Sequence, residues 1–169
     1  MSFRIFPFSV FLLASVLAAN AQAADVIRHK IPNSDFPIAG AIEIPPGVTV
    51  VNLSGAVPSV SNVDAPKDSL EAYGDTETQT VSVLKNIEKN LKELGLTMGD
   101  VIKMQVFLVG DPATGGKLDF TGFMRGYTQF FGTKAGQINL PTRSVVQVAG
   151  LAGPHYLVEI EVTAVRKKK

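Results

Sequence analysis

The sequence predicts an α+β fold: a mixed six-stranded sheet with two helices packed on one face. Three observations point to it. Apolar periodicities run in the order strand, strand, strand, helix, strand, helix, strand, strand. Each helix falls between strands, so crossover connections would place both helices on the same side of the sheet. The last strand alternates Val158, Ile160, Val162 and Ala164 with Glu159, Glu161, Thr163 and Val165. The second row would leave a semi-apolar sheet face in water unless another subunit covers it.

Residues 1–23 read as an export signal that precedes the fold. Arg4 supplies a positive start, Ile5 to Ala19 is a nearly unbroken apolar run, and Ala21-Gln22-Ala23 is a small-x-small cleavage pattern. Cleavage is expected after Ala23, with Ala19-Asn20-Ala21 as a second frame. The alternative, a membrane anchor, needs about 20 apolar residues and a basic flank, and the run is shorter and has no such flank. The expected product is a periplasmic or secreted single domain, 24–169, with no membrane association after cleavage.

The elements follow in chain order. Strands are expected over Asp25–Lys30, Ala41–Ile44 and Val48–Leu53, with Pro45-Pro46-Gly47 punctuating the last two. Ser54 to Tyr73 reads as a loop, long enough to suggest a surface excursion with a role. A helix is expected over Thr76–Leu94. Asp75 or Thr76 can cap it, Gln79 stands where a capping box needs it, Gly95 ends it, and Leu84, Ile87, Leu91 and Leu94 form its core face. Val101–Val109 alternates as a strand. A second helix is expected over Asp119–Phe131, where Phe120, Phe123, Tyr127 and Phe130 recur at helical spacing, a stripe that marks core rather than a cofactor box. Gly122 and Gly126 each lower helix propensity by about 1 kcal/mol, so packing must hold this segment. Ser144–Ala149 and Tyr156–Val165 are the closing strands.

Charge and residue usage exclude several functions. The chain has 16 Lys+Arg against 15 Asp+Glu, and removing the signal takes away only Arg4, which leaves a neutral domain without the basic face that nucleic-acid binding requires. Arg166 to Lys169 reads as a solvated tail. With no cysteine there is no thiol nucleophile, disulfide framework or thiolate metal site. His29 and His155 have no partners at metal-ligand spacing, so no metal is expected.

One residue asks for a chemical explanation. Arg143 stands between the turn at Pro141-Thr142 and a valine-rich strand, where a guanidinium is costly unless something anionic meets it. Its planar fork suits a carboxylate through two parallel hydrogen bonds. If the closing strands are antiparallel neighbours, Glu159 borders the same cleft and could hold a water as an acid/base group. The competing reading is a structural ion pair between Arg143 and Glu159 or Glu161, formed between strands or between subunits.

The stretches "NLSGAVP" (52–58), "TETQTVSVLKNIEKNLKELGLTMGDVIKMQVFLVGD" (76–111), "DFTGFMRGYTQFFG" (119–132), "LPTRSVVQVAGL" (140–151) and "YLVEIEVTAV" (156–165) together resemble the Rid (YjgF-like) family of enamine/imine deaminases. The resemblance implies a chorismate-mutase-like α+β fold and a homotrimer whose sheets form an inner barrel, with sites in clefts between subunits. It implies hydrolysis of 2-imino acids to 2-keto acids and ammonia without cofactor or metal. Arg143 matches the family arginine that binds the substrate carboxylate, Glu159 the residue that positions water, and Ser54-Gly55 the loop facing the ligand. Three positions depart from the family pattern. Ile38 stands where a tyrosine lines the site, Met124 where an asparagine is frequent, and Val145 where a cysteine often follows the Arg-Ser pair. Each change removes a polar or reactive group, which implies a different substrate side chain, slower turnover, or a non-catalytic trimer that binds a small carboxylate or a protein.

Overall fold

A computed structural model describes residues 25–166; the expected signal segment and its cleavage sites lie outside them. All six expected strands form, and hydrogen bonding divides them into two sheets. β1 (Ile27–Lys30) and β2 (Ala39–Glu43) make an antiparallel ribbon. β3 (Thr49–Ala56), β4 (Val101–Val109), β5 (Thr142–Val148) and β6 (Val158–Arg166) make a sheet of order β3-β6-β4-β5. The sheet is mixed: β6 runs antiparallel to β3 and β4, whereas β4 and β5 are parallel. β4 therefore separates β5 from β6, and the antiparallel neighbourhood supposed for Arg143 and Glu159 does not exist.

The ribbon is tied to the sheet at few points. The Ala39 N–H donates to Pro141 O at 2.9 Å. Arg28 donates to the carbonyls of Gly99 (3.0 Å), Val101 (3.0 Å) and Leu140 (2.7 Å). This arginine is consumed by backbone oxygens, a use that satisfies both its own donors and the carbonyls.

Both main helices cover one sheet face, as crossovers between parallel strands require. α1 (Leu70–Tyr73) is a single turn, α2 (Thr76–Glu93) connects β3 to β4, and α3 (Phe120–Tyr127) connects β4 to β5. The core lies between this layer and the sheet, where Leu84, Ile87 and Leu91 meet Met104, Val106, Leu108, Val158 and Ile160. Among the described residues no helix is long and apolar enough to cross a membrane.

Several details differ from expectation for local reasons. Asp75 alone caps α2, accepting from Thr78 N at 2.8 Å. Thr76 turns inward, and its hydroxyl donates to the buried Asp111 at 3.0 Å. Gln79 forms no capping box; it is fully buried, donates to Gly74 O and His155 O, and accepts from Leu157 N. α3 ends at Tyr127; Phe123 and Tyr127 are its buried rings, Phe131 beyond its end is also buried, and Phe120 stays 40% exposed. The excursion after β3 is not free: Asn86 donates to Val57 O at 3.0 Å and the Ser59 N–H to Ser82 Oγ at 2.9 Å, pinning it along α2.

Gly126 is required where α3 crosses α2, because a Cβ there would stand 2.7 Å from Thr80 Cβ and 3.0 Å from Glu77 O. Gly126→Ala gains about 1 kcal/mol of helix propensity but overpacks a closed contact at a cost of about 1–3 kcal/mol. The expected result is a net loss of about 1 kcal/mol, read as a lower urea midpoint with unchanged slope.

The Asp75 carboxyl is held below the ordinary aspartate range, chiefly by the Thr78 backbone N–H. A depressed folded value contributes stability above the unfolded pKa and loses it as pH falls through the folded one. Asp75→Asn keeps a cap, so the variant should show a weaker fall in thermal midpoint below about pH 4 than the parent.

Candidate functional site

Arg143 sits near the start of β5, in register with Met104 of β4, so its side chain leaves the sheet on the helix-covered side. There α3 presents rings rather than acids. The guanidinium carbon lies 4.2 Å from the Tyr127 ring centre, 5.0 Å from Phe123 and 5.4 Å from Phe36. Nη2 reaches Met124 Sδ at 3.3 Å, a weak acceptor, and Nη1 is buried without a hydrogen-bond partner. Burial pulls the Arg143 pKa down, with the Tyr127 phenol acting the other way. Burial also pushes the Tyr127 phenol up to about 12, against the charge of Arg143. The phenol stays protonated, and its hydroxyl donates to Pro37 O at 2.8 Å, which holds the segment carrying Phe36 and Ile38 over the guanidinium.

A cavity of about 400 Å³ opens between the ribbon and the edge of the sheet. The ribbon side supplies Ile31, Ile38, Ala39 and Gly40. The sheet side supplies Thr142, Arg143 and Ser144 of β5 with Lys103 and Met104 of β4. No carboxylate lines it. The ion pairs among the described residues are His29–Glu43 and Arg125–Glu77. Within the protomer Arg143 therefore has no ion pair with Glu159 or Glu161, which corrects the reading of a pair between strands of one chain.

The expected site residues fall into two groups. Arg143 and Ile38 line the cavity, Met124 touches the guanidinium, and Val145 follows on the same side as Arg143, packed against the core. Ser54, Gly55 and Glu159 lie elsewhere. Glu159 stands between the fully buried Val158 and Ile160 and is in register with Phe107, so it projects from the open face of the sheet. Gly55 closes on it so tightly that a Cβ would fall 2.0 Å from Glu159 Oε1. The register shift in β3 between Leu53 and Ala56 brings this glycine there. Within one protomer Arg143 and Glu159 thus point to opposite sides of the same sheet.

Sequence reasoning missed the aromatic frame. Phe123 and Tyr127 were read as core, and they are core, but their outer edge also walls the arginine. Their spacing on the helix that precedes β5 was an available signal. Nothing local marked Phe36, Ile31 or Lys103.

Arg143 thus brings a guanidinium with no carboxylate partner in the protomer to a cavity of mixed lining, and the planar fork of such a group is able to grip an anion through two parallel hydrogen bonds. The Endoribonuclease L-PSP family model matches residues 46–166. The relative named "Putative reactive intermediate deaminase TdcF" from Escherichia coli (strain K12) is 35% identical over 123 residues, which covers 73% of this chain and 88% of that one. The crystal structure of E. coli TdcF with bound serine aligns with a TM-score of 0.53 at 31% identity, covering 78% of this chain and 93% of that one. YyfB of the Rid family, from Yersinia pestis, gives a TM-score of 0.61 over 83% of this chain and 98% of its own, and at 22% identity supports the fold alone. The chain belongs to the Rid/YjgF family.

The unpaired Nη1 carries a desolvation cost that no acceptor in the protomer offsets. Arg143→Met removes an uncompensated buried charge while keeping an apolar stem against Phe36 and Tyr127. The variant should be more stable than the parent by about 1 kcal/mol in urea and should lose carboxylate binding.

Proposed function

We propose that the protein hydrolyses 2-imino and enamine acids to 2-keto acids and ammonia, at clefts between the subunits of a homotrimer. The observation that carries this reading is the buried guanidinium without an acid of its own, facing a cavity. The resemblance to TdcF, whose crystal structure holds serine, supports a ligand with a carboxylate beside a nitrogen-bearing carbon.

Arg143 clasps the carboxylate and so fixes the C=N carbon in position for attack. Glu159 takes a proton from water as the oxygen attacks that carbon and the C=N pair moves to nitrogen. Glu159 then returns that proton to nitrogen and takes the proton of the carbinol hydroxyl as the C–N bond breaks, so that the carbonyl forms and ammonia leaves. No strong nucleophile is needed, because the iminium carbon is already electrophilic.

Because Arg143 and Glu159 face opposite sides of one sheet, a site that uses both draws them from two copies. The semi-apolar open face, with Val50 and Val146 each 46% exposed, supports burial between such copies. The signal-like residues 1–23 support action outside the cytoplasm, where an amino-acid oxidase could supply imines. The second reading, a carboxylate binder without turnover, is favoured by Met124, whose sulfur occupies the guanidinium where an amide could orient substrate.

The test couples an amino-acid oxidase to the purified protein and follows keto-acid release above the uncatalysed rate. Arg143→Lys should lower kcat/KM by about 10- to 100-fold through loss of the bidentate fork. Glu159→Gln should lower kcat while leaving KM within about threefold. Equal mixing of Arg143→Ala with Glu159→Gln subunits should restore about a quarter of parental activity, since each mixed cleft can pair an intact arginine with an intact glutamate. A monomer by light scattering, or mixed trimers as inactive as their parents, contradicts the shared site. A parent inactive on every imine, yet still binding keto acids, favours the binder.

A further inference from the structure

We infer that this cavity selects 2-imino acids with a bulky apolar side chain, and that Ile31 and Ile38 set the preference; the inference rests on the deaminase reading of the same site. The first observation is size. About 400 Å³ lies within the range of pockets that enclose ligands far larger than a three-carbon acid.

The second is the chemistry of the wall. The ribbon presents Ile31, Ile38 and Ala39, and the sheet adds Met104. Gly40 lets Ile31 lie against the ribbon, since a Cβ there would come within 3.3 Å of Ile31 Cγ1. The polar groups are largely committed or solvated. Thr142 donates its hydroxyl to Ile102 O at 3.1 Å, and Arg143 is kept for the carboxylate. Ser144 and Lys103 remain, both exposed to water at the rim. A polar side chain entering past the isoleucines would lose its water and find no partner, whereas a leucine-sized group would bury hydrocarbon on hydrocarbon. Lys103 defines the competing outcome, a dicarboxylic substrate whose second acid reaches that amine.

Two readouts separate this inference from the reading beneath it. Titration calorimetry with pyruvate, 4-methyl-2-oxopentanoate and 2-oxoglutarate measures binding without turnover. Oxidase-generated imines of alanine, leucine and glutamate measure hydrolysis. The leucine-sized member should exceed the alanine-sized one by about tenfold or more in both affinity and kcat/KM, and the dicarboxylic member should fall below both. Ile31→Thr and Ile38→Thr, each trading an ethyl group for a hydroxyl at a half-buried site, should each cut the leucine-to-alanine ratio by about threefold or more. A flat profile, a preference for 2-oxoglutarate, or variants that weaken all three acids alike would overturn the inference and leave the deaminase reading standing. Absence of both binding and hydrolysis removes the deaminase reading and this inference together. Selective binding without hydrolysis keeps the preference and makes the protein a binder.

Discussion

The structure turns on one unmet charge. Arg143 has a buried nitrogen with no acceptor, a sulfur contact in place of an oxygen, and three aromatic rings around the guanidinium. The rings offset part of the desolvation by cation–π attraction, on the order of 1 kcal/mol each at best. They cannot neutralise the charge. The chain shows what a structural arginine looks like a short distance away, where Arg28 spends its donors on three backbone carbonyls. The two residues have the same chemistry and opposite fates, and the difference is what the surrounding backbone offers them.

The second constraint is the two-sidedness of a sheet. Side chains alternate between faces, so the register that places Arg143 beside Met104 and Glu159 beside Phe107 sends the two groups in opposite directions. No rotamer change brings them together across the layer. Gly55 gives the acid its own setting, since any larger residue would displace the Glu159 carboxylate. Within one chain the two groups therefore stay on separate faces of the sheet.

Two other polar residues, Gln79 and Asp75, are well satisfied, whereas Ser69 Oγ shares with Arg143 Nη1 a buried position without a hydrogen-bond partner. Gln79 uses both ends of its buried amide to hold the segment before β6, which fixes the base of the strand that carries Glu159. Asp75 closes the start of α2, and Gly126 lets α3 approach α2 closely enough to hold the ring stripe against β5.

Local chemistry made much of this legible in advance. The periodicities of residues 76–94 and 101–109 specify a helix and a strand, because burial of one face leaves little choice of conformation. Arg143 stood out because a cation beside a valine strand is costly in any fold. The limits were those of distance along the chain. Gln79 read as a cap partner because the capping box is a local pattern, while its actual partners, His155 and Leu157, come from beyond the reach of such patterns. Phe36 is an ordinary loop residue until Tyr127 draws Pro37 over the guanidinium. The sequence by itself determined the elements and the residue that seeks an anion, since both follow from neighbours in the chain. Only the tertiary structure decided that β4 separates β5 from β6, that the arginine and glutamate take opposite faces, and that rings rather than acids surround the charge. Those outcomes depend on strand order and register, which are settled by packing across the whole molecule.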